Sequence, residues 1–156
     1  MGDDLRSFFN QLVGEWEGMT RTWFEPDVLA DESPTRGVFR PLLDGRFILH
    51  EYAGVLKGEL FQGMTIYGYN VQRNKCQATW MDTAHMGTSM MHLEGEGKGR
   101  GFWLLGTYDD PNGGPPWGWR IVVELETENR LVITSYNINP QGRESKAIEI
   151  ICNRID

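Results

Sequence analysis

Between Thr79 and His92 the chain reads T-W-M-D-T-A-H-M-G-T-S-M-M-H, which holds four of its seven methionines and two of its three histidines. Thioether sulfur and imidazole nitrogen both ligate soft metals and haem iron. A site of that kind needs its ligands to converge. On a strand, successive side chains point to opposite faces. Alternation then puts Cys76, Ala78 and Trp80 on one face and Gln77, Thr79 and Met81 on the other. On the returning strand Met91 and Leu93 share a face, and Met90, His92 and Glu94 share the opposite one. If the more apolar set points inward, Met90 and His92 lie outside, and His85 and Met86 fall in the turn, away from both sets. The soft ligands scatter. Packing and loop roles are therefore expected for the methionines, as adaptable fillers, and no metal site is expected.

Other residue patterns offer little catalytic chemistry. There is no G-x-S-x-G elbow. His50-Glu51-Tyr52-Ala53-Gly54 starts like H-E-x-x-H but lacks the second histidine and sits on an expected strand. The run G-E-G-K-G-R-G, residues 95–101, leads into the strand F-W-L-L-G and offers no helix N-terminus to a phosphate. It reads as a hairpin turn. Asp109-Asp110 reads as a solvated turn ahead of P-N-G-G-P-P-W-G, and Asp82 as a turn-capping residue rather than a buried base. The Pro- and Gly-rich loop 109–118, with Trp117 inside it and Trp119 just beyond, reads as a loop anchored by its own Trp, the alternative being a rim loop whose exposed rings cover the mouth of a barrel.

The elements that would position these residues are mostly strands. Residues 3–12, D-D-L-R-S-F-F-N-Q-L, form the one clear helix, with Asp3 or Asp4 as cap and Leu5, Phe8, Phe9 and Leu12 on one face. Gly14 ends it. Ten strands are then expected, near 15–25, 36–42, 46–54, 58–69, 75–83, 88–95, 101–108, 118–126, 130–137 and 145–154. In the eighth, Trp119, Ile121, Val123 and Leu125 share a face; in the tenth, Ile148, Ile150 and Cys152 oppose Glu149 and Asn153. One wet face and one buried face suit an antiparallel sheet. Ten hairpin-linked strands, with no helix between them, predict a closed all-β barrel that leaves no long edge. Residues 1–156 are read as a single domain.

Composition narrows the partners. The net charge is −7 and no Lys/Arg block stands out, so neither nucleic acid nor an anionic membrane is an expected partner. No apolar run approaches the length of a membrane span. The acidic start M-G-D-D-L-R lacks a signal-peptide pattern, and Arg6 stands where a myristoylation signal wants Ser or Thr. Two cysteines far apart call for no disulfide, so a cytoplasmic location is expected.

Leu12-Val13-Gly14-Glu15-Trp16-Glu17-Gly18, just after the short helix, resembles the Gly-x-Trp opening of calycins, the superfamily of lipocalins and fatty-acid-binding proteins. That resemblance implies a barrel-closing pair in which Trp16 packs under a basic residue of the last strand, here Arg154. A closer likeness is to a bacterial family of uncharacterised proteins, domain-of-unknown-function family 1579. It is carried by L-V-G-E-W-E, by L-D-G-R-F-I-L-H-E-Y (residues 43–52), by F-Q-G-M-T-I-Y-G-Y-N (61–70) and by A-T-W-M-D (78–82). It implies a calycin-like fold and no agreed activity. Nitrobindins, ten-stranded haem-binding barrels, resemble the same architecture but carry their proximal His late in the chain; here no His follows His92. The last strand, C-N-R-I-D, also lacks the Arg-x-Tyr pair by which fatty-acid-binding proteins hold a carboxylate.

The expected function is binding of a small hydrophobic or aromatic molecule in the barrel cavity, without a cofactor. Its expected lining is His50, Tyr52, Tyr67, Trp80, Trp103 and Tyr136, rings and hydroxyls that suit an apolar ligand needing a few polar contacts. The alternatives are an enzyme that uses a cavity His, Tyr or Asp as acid/base on a hydrophobic substrate, and a haem or metal carrier. Catalytic residues stay unassigned. If Phe102 and Leu104 face outward, the apolar wall they form points to a homodimer.

Overall fold

A computed structural model describes residues 2–155, with side chains from Leu5 onward. The helix α1 spans Gly2–Leu12; the expected Asp3 and Asp4 caps lie outside the described side chains. Ten strands follow: β1 Gly14–Glu25, β2 Val28–Leu42, β3 Phe47–Leu56, β4 Glu59–Asn70, β5 Lys75–Asp82, β6 Met91–Gly97, β7 Gly101–Tyr108, β8 Trp117–Thr127, β9 Arg130–Ile138 and β10 Glu144–Arg154. Each pairs antiparallel with its sequence neighbours, and β1 closes on β10, making one ten-stranded calycin-like barrel. Closure pairs every strand on both sides, which removes the edge problem that ten linked hairpins would otherwise carry.

The strand β2 begins well before the expected residue 36. The polar run A-D-E-S-P-T reads as loop, yet Val28 to Phe39 pair with β1, while β3 joins only from Thr35 onward. Residues 28–34 thus overhang the barrel with one side unpaired. Pro34 sits in that overhang, opposite Met19, where its missing N–H costs no ladder bond.

The two ends of the barrel differ. Helix α1 closes one end: Leu5, Phe8, Phe9 and Leu12 are all buried, and Phe8 and Phe9 meet Phe102 edge-on at 5.9 Å. Trp16 is fully buried beside them and donates its indole N–H to Leu12 O at 2.9 Å. The Arg154 guanidinium lies 4.3 Å from the Trp16 ring and donates to the carbonyls of Val13, Gln11 and Glu128 at 2.6–3.2 Å. Trp16 and Arg154 between them take the carbonyls of Gln11, Leu12 and Val13 at the end of α1 and just beyond it. At the other end, the mouth, strands β5 and β6 part after the Trp80–Met91 pair, and residues 83–90 fold back across the opening.

The outer wall corrects one expectation. Phe102 and Leu104 are 1% and 0% exposed, so they point inward and the dimer argument built on them loses its premise. The run F-W-L-L is apolar on both faces, and alternation alone could not orient it.

Candidate functional site

Four of the six expected lining residues share the barrel interior. His50 and Tyr52 on β3, Tyr67 on β4 and Trp80 on β5 surround one space, with Thr65 and Ser135 beside them. His50 stacks on its β2 partner Phe39 with centroids 4.0 Å apart, and the ring has room because the next inward β2 position, opposite Tyr52, is Gly37, whose added Cβ would stand 2.8 Å from His50 Nε2. Tyr52 crosses β4 at Gly63 for the same reason, since a Cβ there would lie 2.5 Å from its hydroxyl. That hydroxyl accepts the Trp80 indole N–H at 2.6 Å. The other two residues are elsewhere. Trp103 faces outward between Phe102 and Leu104, and Tyr136 lies on the outer wall under the Arg120 guanidinium at 4.4 Å.

The interior they frame is nearly filled. The free space among His50, Tyr52, Tyr67 and Trp80 is about 40 Å³, room for ordered water and no more. The next void, between Trp16, Phe39 and His50, holds about 10 Å³. Large rings take up the volume that ten strands enclose. Burial sets the ionisation here: it pushes the His50 imidazole down to about 3 and the Tyr67 phenol well above its usual range. The Tyr52 phenol is raised too, first by burial and then by the charge of Asp82.

The usable space lies beside the mouth. A recess of about 540 Å³ opens between β3, β4, β5 and the 83–90 loop. Its apolar surface comes from Met64, Met81 and Met90, and its polar groups include Glu51, Gln62, Thr88 and Ser89, with Tyr52 and Asp82 at the inner side. Register explains the grouping. Glu51 pairs with Met64 and Met64 with Met81 on the outer face, and Met90 immediately precedes the Met91 that pairs with Trp80. Four side chains distant in sequence thus form one row, each close to the next. Among the described residues no basic side chain lines this recess, and its ionisable groups are Glu51, Tyr52 and Asp82. Glu51 is held by Arg40 at 2.9 Å.

Asp82 organises the loop that borders the recess. One carboxylate oxygen accepts the backbone N–H groups of His85 and Met86 at 2.7 and 2.8 Å; the other meets His85 Nδ1 at 2.8 Å. Burial pushes this carboxyl up, but the His85 hydrogen bond, its charge and the two backbone N–H groups outweigh it, so the net shift is downward. Asp82 is therefore the turn cap. His85 and Met86, expected to stand clear of both faces, instead fold onto the barrel end. Met86 packs against the core, and the His85 ring lies 5.9 Å from Trp80 and 6.4 Å from Trp119, two indoles that stack on each other at 5.5 Å. His85 Nε2, Trp119 Nε1 and Thr20 Oγ1 are buried without a hydrogen-bond partner among the described residues.

The three histidines do not converge. His50 is interior, His85 caps the mouth, and His92 sits on the outer wall with Nδ1 3.0 Å from Thr79 Oγ1. No three His, Cys, Asp or Glu among the described residues are placed to hold a metal ion. The recess residues Met64, Met81 and Met90 escape a sequence reading because strand register, not spacing, joins them. The signal for His85 is D-x-x-H at the end of a strand, where the Asp can cap the turn and meet the ring.

A family model described as a protein of unknown function, DUF1579, matches residues 3–154. The chain belongs to that family. No match was found among curated proteins. Among solved structures, this DUF1579 chain is similar to the S-type phycobiliprotein lyase CpeS from Guillardia theta. The two share 14% identity over 97% of this chain and 93% of that one, with a TM-score of 0.66. That likeness shows a common barrel fold. A protein of unknown function from the DUF3598 family of Nostoc punctiforme aligns at 9% identity over 96% of this chain and 98% of that one, with a TM-score of 0.27. Among the described residues of the DUF1579 chain, no helix is long and apolar enough to cross a membrane.

Proposed function

We propose that this DUF1579 chain binds a small hydrophobic or aromatic molecule, and that the molecule sits in the methionine recess at the mouth, not at the barrel centre. One observation carries the reading: about 540 Å³ of space at the recess against about 40 Å³ among His50, Tyr52, Tyr67 and Trp80. The first volume lies within the range of small-molecule sites, and its mix of apolar walls and a few polar groups is typical of them. Three flexible thioethers adapt to more than one ligand shape. The absence of a lining cation selects against carboxylates and favours a neutral or cationic ligand, because a buried anion would go unpaired. Tyr52 belongs to this site; Trp80, by its hydrogen bond, and His50, by ring contact at 5.0 Å, support it from behind by fixing Tyr52, and Tyr67 fills the core beyond them. The phycobiliprotein lyase shares the fold alone. Two free, buried cysteines fit a reducing compartment, and a cytoplasmic location is part of the proposal.

The test is native mass spectrometry of the purified protein against its denatured mass, for the wild type and for Met81→Lys. A noncovalent mass present in the wild type and lost in the variant supports the recess. A mass kept by the variant places the ligand elsewhere. If both arrive empty, titration with 2-naphthol under methionine-methyl NMR decides, and silence at Met64, Met81 and Met90 sinks the reading.

A second reading, an enzyme of the same fold, has the Asp82–His85 pair behind it. A carboxylate that holds Nδ1 of an imidazole leaves Nε2 to take or give a proton. Its check is whether the bound molecule is released chemically changed by the wild type and unchanged by His85→Gln.

A further inference from the structure

We propose a second binding site, across the mouth from the methionine recess, that takes an aromatic carboxylate. A cleft of about 170 Å³ is lined by Trp23, Trp117, Asn137, Asn139, Arg143 and Lys146. These residues come from β1, β8, β9, β10 and the turn between the last two, the arc of the barrel opposite β3, β4 and β5.

The side chains of this cleft leave mostly donors unpaired, on Asn137, Asn139 and Arg143, beside the Ser145 hydroxyl and the Glu25 carboxylate. Asn139 Oδ1 accepts the backbone N–H groups of Gln141 at 3.1 Å and Arg143 at 2.8 Å. Backbone N–H can only donate, so the amide orientation is fixed and the NH₂ is left over. Asn137 Oδ1 likewise accepts the Tyr108 hydroxyl, leaving its own NH₂. Neither amide nitrogen bonds any described residue, and the Arg143 guanidinium pairs with no described carboxylate. Lys146 is partly engaged, by Glu149 at 3.0 Å and over the Trp23 ring at 5.5 Å. Glu25, also at the rim, is exposed and can turn to water.

A complementary ligand must accept several hydrogen bonds, carry negative charge and present a flat apolar body. A carboxylate matches a planar guanidinium with two parallel bonds, and the two amide NH₂ groups can serve the same oxygens. The Trp117 indole offers ring surface to an attached aromatic ring, and Trp23, which carries Arg21 at 5.7 Å and Lys146 at 5.5 Å from its ring, forms the apolar wall beside it. The volume suits a single ring. This site asks for the charge that the methionine recess rejects, so it stands or falls independently of that recess.

The experiment is titration of the full chain with benzoate, followed by calorimetry and by the indole N–H signals in NMR. Expected are binding in the millimolar range or tighter, shifts at the Trp23 and Trp117 indoles, and a loss of about tenfold or more in affinity for benzyl alcohol and for Arg143→Gln. Arg143 is exposed and pairs with no described carboxylate, so its replacement should leave the fold intact; Arg143→Glu, a charge reversal, should abolish binding. Met81→Lys should leave benzoate affinity unchanged. The proposal is overturned by no binding at millimolar benzoate, by equal affinity for benzyl alcohol, by an unaffected Arg143→Gln, or by shifts at Met64, Met81 and Met90 in place of the indoles.

Discussion

The helix-closed end and the mouth are built from the same strands and treat polar groups in opposite ways. At the closed end every polar group of the sealing pair is used: the Trp16 indole binds Leu12 O, and Arg154 serves three carbonyls while covering the Trp16 ring. At the mouth, polar capacity is left over: His85 Nε2 and Trp119 Nε1 are buried without partners among the described residues, and the Asn137 and Asn139 amides have bonded oxygens and idle NH₂ groups. A saturated end holds the fold together. An unsaturated end has bonds to offer a ligand, because a buried unpaired polar group carries a desolvation cost that a partner removes.

That contrast can be pressed hardest at the buried core between the two ends. His50 stays neutral in the fold down to about 3, whereas in the unfolded chain it titrates near 6.5. Between those values the unfolded state binds the extra proton, so stability falls as the pH falls from 6.5 towards 3, by roughly 5 kcal/mol in all. Denaturant unfolding across that range should show the slope in the wild type and a shallower one in His50→Leu. Equal slopes would mean that His50 is not the buried neutral base.

Next in size is the closed end itself. Trp16→Ala should cost about 3–5 kcal/mol by cavity formation, with the methionine recess still able to bind. A variant that loses ligand while keeping full stability would reverse the roles assigned to the two ends. At the mouth, Asp82→Ala leaves two backbone N–H groups and His85 Nδ1 without their acceptor, at a cost of about 2–3 kcal/mol. Amide exchange should rise across residues 83–90 and little elsewhere. The carboxyl is held below its ordinary range, so its contribution is complete above about pH 4 and is lost only as the pH falls through that lowered value. The smallest effect on folding belongs to Met81→Lys, which should shift stability by about 0.5 kcal/mol or less while weakening the recess ligand about tenfold. A large stability loss there would make the methionine row structural instead.

Much of the barrel was legible before any coordinates. Nine of the ten strands lie close to the ranges that their alternation and turn residues predict, and the inward sets Cys76/Ala78/Trp80 and Trp119/Ile121/Val123/Leu125 are buried as patterned. The exceptions have plain causes. The first half of β2 is polar and contains Pro34, a composition that suits a one-sided overhang and looks like a loop. Aromatic character groups Trp103 and Tyr136 with the interior rings, but it says nothing about which face a strand turns inward. In F-W-L-L both choices bury something apolar, and the helix decided between them by placing Phe8 and Phe9 against Phe102.

What the amino-acid sequence by itself determined is the strand count, the single helix with its apolar face, the hairpin connectivity and hence the closed antiparallel barrel. These depend on periodicity and turn chemistry within a few residues, which local sequence encodes. What only the tertiary structure decided is where space remains. The interior rings leave about 40 Å³ and the row Glu51, Met64, Met81, Met90 borders about 540 Å³, because volume depends on how side chains from three strands and a loop come together, and no local pattern records that.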